Sequence, residues 1–121
     1  MDQVQPKQTL LVVDDQEIDR EILSNILGVD YHVLTAKNGK QALDIVDRKG
    51  HILAAILLDI IMPVMDGYEV LQQLHEDEEA SEIPVLVMSQ ENTEESELKA
   101  LTMGASDFIT KPYHASVLKH G

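Results

Sequence analysis

"AAILLDIIMP", residues 54–63, decides how this chain is read. An apolar run leads to a single carboxylate, Asp59, and the apolar character resumes before Pro63. A short, near-continuous apolar run without alternation is the pattern of a strand buried on both faces, as in parallel sheets. A charge carried by such a strand is either a structural cap at its end or a group presented to chemistry.

Outward from this stretch, apolar runs of strand length recur between segments of helical spacing. "TLLVV" (9–13) reads as a strand, followed by a helix over 16–27 with Ile18, Ile22, Leu23, Ile26 and Leu27 in one stripe, which Gly28 can end. "HVLTA" (32–36) is a weaker strand, and 40–49 a helix with Ala42, Leu43, Ile45 and Val46 inward. "ILAAILL" (52–58) is the third strand; Tyr68, Leu71 and Leu74 mark a helix that runs into the acidic stretch 75–82, itself read as helical. "PVLVMS" (84–89) is the fourth strand. Thr93–Met103 is the next helix, with acids in its first turn, where the helix dipole favours them. "DFIT" (107–110) is a short last strand, and a final helix begins near Tyr113 and breaks off at Gly121. Strand and helix alternate throughout, which predicts an α/β fold: a parallel sheet covered by helices on both faces, with right-handed crossovers.

Composition narrows the function classes. The 121 residues suit one domain, and a hydrophobic share of 44% is ordinary for a globular chain, so a real core is expected. With only 3% aromatics, that core must rest on Leu, Ile, Val, Met and Ala. The absence of cysteine excludes disulfides, thiolate catalysis and zinc–thiolate sites. No apolar run reaches the ~18 residues of a membrane helix, and the polar leader 1–8 does not resemble a signal peptide, so a cytoplasmic domain is expected. A net charge of −13 argues against direct nucleic-acid binding, which draws on Lys and Arg to neutralise phosphates. Much of the acid is clustered in 75–82 and 91–97, which reads first as solvated surface.

Ligands of open α/β sheets bind beyond the carboxyl ends of the strands. The first strand ends in Asp14-Asp15, the third in Asp59, the fourth in Ser89, and Lys111 follows the fifth. Each has a modest alternative: Asp14 and Asp15 as caps of the first helix, Ser89 as a turn residue, Lys111 as an exposed lysine, Asp66-Gly67 as a turn. Together they aim polar groups at one edge. Carboxylates ~4 Å apart repel by about 4 kcal/mol at an effective dielectric of 20, so a cluster of them calls for protons or a cation. With oxygen donors alone the cation is hard, and Mg²⁺ suits best. A metal, a carboxylate, a lysine and a hydroxyl together suit phosphoryl transfer, with an aspartate as nucleophile.

In "LLVVDD" (10–15), "AKNGKQAL" (36–43), "ILLDIIMPVMDG" (56–67), "VLVMS" (85–89) and "GASDFITKP" (104–112), the chain resembles the receiver domain of bacterial two-component response regulators. The resemblance runs from Thr9 to about Leu118 and implies a five-stranded parallel sheet of order 2-1-3-4-5, the flavodoxin-like three-layer arrangement, over residues 9–121. It implies Asp59 as the phosphoacceptor, taking a phosphoryl group from the phosphohistidine of a sensor histidine kinase or a phosphotransfer protein. It further implies Asp14 and Asp15 as the acidic pair that organises Mg²⁺ (Mn²⁺ as substitute), with the backbone carbonyl of Ile61 as another ligand. Lys111 and Ser89 would contact the phosphoryl oxygens, and Pro112 would follow a cis peptide. Phe108 stands at the switch aromatic, and the face of helix 4, strand 5 and helix 5 would carry the output, as an effector contact or a homodimer. Gln90 departs from the small residue usual after Ser89, and Ile61 and Glu91 stand where the family tunes dephosphorylation. The short last helix is expected to belong to a longer protein, its C-terminal effector a cyclic-dinucleotide enzyme or a DNA-binding domain, with a receiver that has no effector as the remaining alternative. Two rivals stay open: a haloacid-dehalogenase-like, metal-dependent phosphohydrolase, and a receiver-like binding module without phosphorylation.

Overall fold

A computed structural model describes residues 7–60, 66–89 and 94–110, the last of these, Thr110, in its backbone alone. In chain order the elements are β1 (Thr9–Val13), α1 (Glu17–Leu27), β2 (His32–Ala36), α2 (Gly39–Lys49), β3 (Leu53–Asp59), α3 (Gly67–Glu76), β4 (Val85–Ser89), α4 (Glu94–Thr102) and β5 (Asp107–Thr110). Single 3-10 turns at Gly50–Ile52 and Ala80–Glu82 lead into β3 and β4. The five strands form one sheet in the order β2-β1-β3-β4-β5, and every pairing is parallel. The α/β architecture and strand order expected from the sequence are both present.

The apolar runs lack alternation because both faces of the sheet are covered. Successive strand residues point to opposite faces. Leu11 and Val13 of β1, Ile56 and Leu58 of β3, and Val85 and Val87 of β4 therefore meet Ala42, Val70, Leu71, Leu74 and Ala100 from α2, α3 and α4. Leu10 and Val12, with Leu57, Met88 and Ile109, meet Leu23 and Leu27 of α1 on the other face. β3 lies third of five and is buried along its central run, Ile56 to Asp59. That position lets an apolar strand carry one carboxylate to the edge without exposing the rest of itself.

Two expectations need correction. Ile18 and Ile22 are not inward; they are 69% and 41% exposed, while Leu23 and Leu27 are buried and Ile26 is half-buried. At about 100° per residue, Ile18 lies roughly 180° around α1 from Leu27, so one helix face cannot bury both. The acidic stretch 75–82 is not helical throughout either. α3 ends at Glu76, and the Asp77 carboxylate accepts from the backbone N–H of Glu79 (3.0 Å) and Ala80 (3.2 Å). A short acid that bonds its neighbours' backbone in this way stops a helix and holds the 3-10 turn instead.

α4 closes where Gly104 adopts φ +107°, a conformation that side-chain-bearing residues avoid, and Ala105 N–H returns to the Ala100 carbonyl (3.1 Å). The Lys99 ammonium sits 4.0 Å over the Tyr68 ring and ties α4 to α3. None of the described helices is long and apolar enough to cross a membrane. The final helix expected from Tyr113 lies outside the described residues.

Candidate functional site

Strand register brings the polar residues together. Val13 pairs with Leu58, and Asp59 pairs with Met88. The residues one step further, Asp14 after β1 and Ser89 at the end of β4, therefore flank Asp59 at the carboxyl edge of the sheet. The ladders run on past the strands: Asp14 N–H donates to the Ala36 carbonyl, and Ile60 N–H to the Met88 carbonyl, each at 3.1 Å. These bonds fix the backbone on which the acids stand.

All three are withdrawn from water, Asp14 at 0%, Asp59 at 4% and Ser89 at 1% exposure. Asp15 is half-buried at the rim. Asp14, Asp15 and Asp59 each place a carboxylate oxygen within 4.8 Å of the others. Buried acids at this spacing repel strongly in a medium of reduced dielectric. The donor set is oxygen alone and anionic, which fits a hard divalent cation such as Mg²⁺ and does not suit a softer ion.

The capping alternative for Asp14 is part of the geometry. The Asp14 carboxylate accepts from Gln16 N–H at 2.9 Å, while Gln16 itself, at the N-cap of α1, makes no side-chain cap bond. One residue thus shapes the entry to α1 and supplies an oxygen to the acidic cluster.

Two contributions to the site were not read from the sequence, one from Arg20 and one from Gly67, which was read only as part of a turn. The Arg20 guanidinium, through Nη1, donates to the Asp14 backbone carbonyl at 2.7 Å, pinning the β1–α1 turn and setting a positive charge against it. Its partner is a main-chain atom, which leaves no mark in a sequence. Gly67 is the second. It opens α3 directly against the end of β3, with its N–H donating to the Ile60 carbonyl at 2.6 Å. A Cβ there would collide with the Asp59 carbonyl oxygen and the Ile60 Cα. Asp66 before it is more than a turn residue: it caps α3, accepting from Glu69 N–H at 2.9 Å.

Ser89 pairs in register with Thr110, the residue before Lys111. Lys111 lies outside the described residues, as do Ile61, Gln90, Glu91 and Pro112. Phe108 is half-buried on β5 opposite Val87 and packs against the core that α2, α3 and α4 share.

Comparison with known proteins agrees with this arrangement. Residues 10–120 match the profile of the response regulator receiver domain. The rice protein two-component response regulator ORR3 (Oryza sativa subsp. indica) is 38% identical over 115 residues, covering 93% of this chain and 86% of the rice protein. A probable cyclic di-GMP phosphodiesterase of Vibrio cholerae is 34% identical over 111 residues, 92% of this chain but 25% of that protein. Among solved structures, a chain of the CheX–CheY–BeF3–Mg²⁺ complex from Borrelia burgdorferi superposes with a TM-score of 0.89 at 26% identity, over 95% of this chain and 86% of that one. Relatives in plants as well as bacteria show that a bacterial setting is not a property of the family. A profile that spans nearly the whole chain, a 38% identical relative and the shared sheet order lead to one conclusion: this chain belongs to the response regulator receiver domain family.

Proposed function

We propose that the protein is a phosphorylation-dependent signalling switch in which Asp59 takes a phosphoryl group from the phosphohistidine of a sensor histidine kinase or phosphotransfer protein. The observation that carries this reading is the placement of Asp59, buried at the end of the central strand with Asp14 and Asp15 oxygens within 4.8 Å. An Asp59 carboxylate oxygen forms a bond to phosphorus as the phosphorus–nitrogen bond of the donor breaks, and the departing imidazole takes up a proton. Asp14, Asp15 and Asp59, with the Ile61 carbonyl, are the groups that would hold Mg²⁺ (or Mn²⁺). When bound, the ion neutralises charge on the transferring oxygens. The Borrelia complex supports this reading, since it joins a protein of the same fold to BeF3 and Mg²⁺.

Ser89 donates its hydroxyl to a phosphoryl oxygen and Lys111 pairs with another. Gln90, Ile61 and Glu91 border the group and set its lifetime, so the chain dephosphorylates itself without turning over a substrate. Phosphorylation replaces a charge of −1 by about −1.5 to −2 and adds acceptor oxygens. Ser89 moves toward them, Phe108 turns inward, and the face of α4, β5 and the following helix changes shape, altering an effector contact or a homodimer. A near-complete shift takes about 5.5 kcal/mol, more than a single hydrogen bond supplies, so Ser89 and Lys111 must act together. The Vibrio relative, of which this chain matches a quarter, supports reading residues 9–121 as a receiver, after a polar leader 1–8, in a longer cytoplasmic regulator.

The test is incubation with Mg²⁺ and acetyl phosphate, read by intact mass. The wild type gains one phosphoryl group and the Asp59→Asn variant gains none. Sustained hydrolysis of a small phosphoester without labelling would point to a phosphohydrolase. Neither labelling nor hydrolysis would leave a binding module and overturn the proposal.

A further inference from the structure

We propose that a groove at the opposite edge of the sheet, between α2 and α3, is a docking site for a basic, apolar segment of a partner protein. The groove encloses about 710 Å³. Its floor is apolar, formed by buried Leu53, Leu74 and Ala80 with half-buried Val46 and Ile83. Its banks are acidic on both sides: Asp47 on α2, and Asp77, Glu79 and Glu82 on the α3–β4 connection, all exposed. No Lys or Arg is among the described residues that line it, and His51 is its one ionisable nitrogen group.

Of the two cations in the last turn of α2, Arg48 and Lys49, neither lines the groove, and Arg48 is turned to Asp44 at 2.7 Å. The Asp77 carboxylate is fixed by two backbone N–H groups, so one bank holds its charge in place. Gly50 lines the cleft without a side chain, and a Cβ there would make ordinary contact with Val46 Cγ1 at 3.4 Å and Ile83 Cδ1 at 3.6 Å. A small cation answers one bank only. A chain segment with two or more lysines or arginines beside apolar side chains answers both banks and covers the floor. The groove begins at Leu53, and Asp59 ends the same strand, so at 3.3 Å per residue the two sites are about 20 Å apart. An occupant therefore leaves the acidic centre open, and the inference stands independently of the proposed phosphorylation.

The experiment titrates the 15N-labelled full chain with the synthetic peptide acetyl-Leu-Lys-Lys-Leu-Leu-Lys-amide and with its counterpart bearing glutamine for lysine. The cationic peptide is expected to shift the amides of Leu53, Leu74 and Ile83. Joint reversal by Asp47→Lys, Glu79→Lys and Glu82→Lys is expected to weaken its binding at least about tenfold. The matched reversal Glu94→Lys, Glu95→Lys and Glu97→Lys on α4 changes net charge equally and is expected to weaken it less than about twofold. Equal weakening by the two triple variants would reveal diffuse attraction to an acidic chain and overturn the proposal. Equal binding of the uncharged peptide, or shifts centred outside the groove, would overturn it too. Thermal melts verify folding, and if the triple variant is unfolded, single Asp47→Lys and Glu82→Lys variants decide by the same criterion.

Discussion

The two ends of the sheet are both rich in acid, yet they are built in opposite ways. At the carboxyl edge, Asp14 and Asp59 are at most 4% exposed and share a space of 4.8 Å with Asp15. At the other edge, Asp47, Glu79 and Glu82 stand in water on separate elements. Strand ends set the first group, while helix α2 and the α3–β4 connection set the second. A carboxylate at the end of a buried strand cannot retreat to solvent, so its charge has to be met by a neighbouring group or a cation, whereas a carboxylate on the surface is screened by water. Acid content alone therefore locates nothing; its delivery by apolar strands does.

The sharpest way to break the comparison is through two glycines. Gly67→Ala drives a methyl into the Asp59–Ile60 backbone and is expected to cost about 3 kcal/mol or more in urea denaturation. Gly50→Ala, at the groove, has helical φ and ψ and meets side chains at ordinary contact distance. It is expected to stay within about 1 kcal/mol of wild type, on either side. Equal effects would mean that the carboxyl edge is not the more tightly constructed of the two.

Next in size is the response to a cation. With Mg²⁺ at a hundred times its dissociation constant, the wild type is expected to gain about 2.7 kcal/mol of stability. Asp59→Asn and Asp14→Asn are expected to gain less than about 1 kcal/mol at the same Mg²⁺ concentration, and Glu79→Gln to gain as much as wild type. Denaturation with and without Mg²⁺ measures all four.

Without divalent cations the sign reverses. Asp59→Asn relieves repulsion among three clustered carboxylates and is expected to raise stability by about 1–2 kcal/mol, read by denaturation in EDTA. The smallest effect belongs to solvated charge. The Arg48–Asp44 pair is 65% and 60% exposed, and Asp44→Ala is expected to cost no more than about 0.5 kcal/mol in the same assay.

Much of this was legible before the structure because polar residues at the ends of apolar runs are conspicuous. Asp14, Asp59 and Ser89 stand out in that way, and parallel register then makes them neighbours. The alternation of runs indicated covered faces, while the strand order came from the family resemblance. α1 was misread because apolar letters in its sequence do not say which row meets the sheet; Leu23 and Leu27 do, and Ile18 faces water. The acidic stretch was misread as helix because the backbone bonds of Asp77 depend on a turn that composition does not reveal. Arg20 was missed, and Gly67 was read only as part of a turn, for a related reason: both serve main-chain atoms of another segment.

The most direct test of the central claim is chemical trapping of the phosphorylated residue. After exposure to Mg²⁺ and acetyl phosphate, borohydride reduces an aspartyl phosphate to homoserine, which peptide sequencing by mass spectrometry locates. The expected result is homoserine at position 59 alone, dependent on Mg²⁺ and lost in Asp59→Asn. Homoserine at position 14 or 15, or none at any position, would contradict the account.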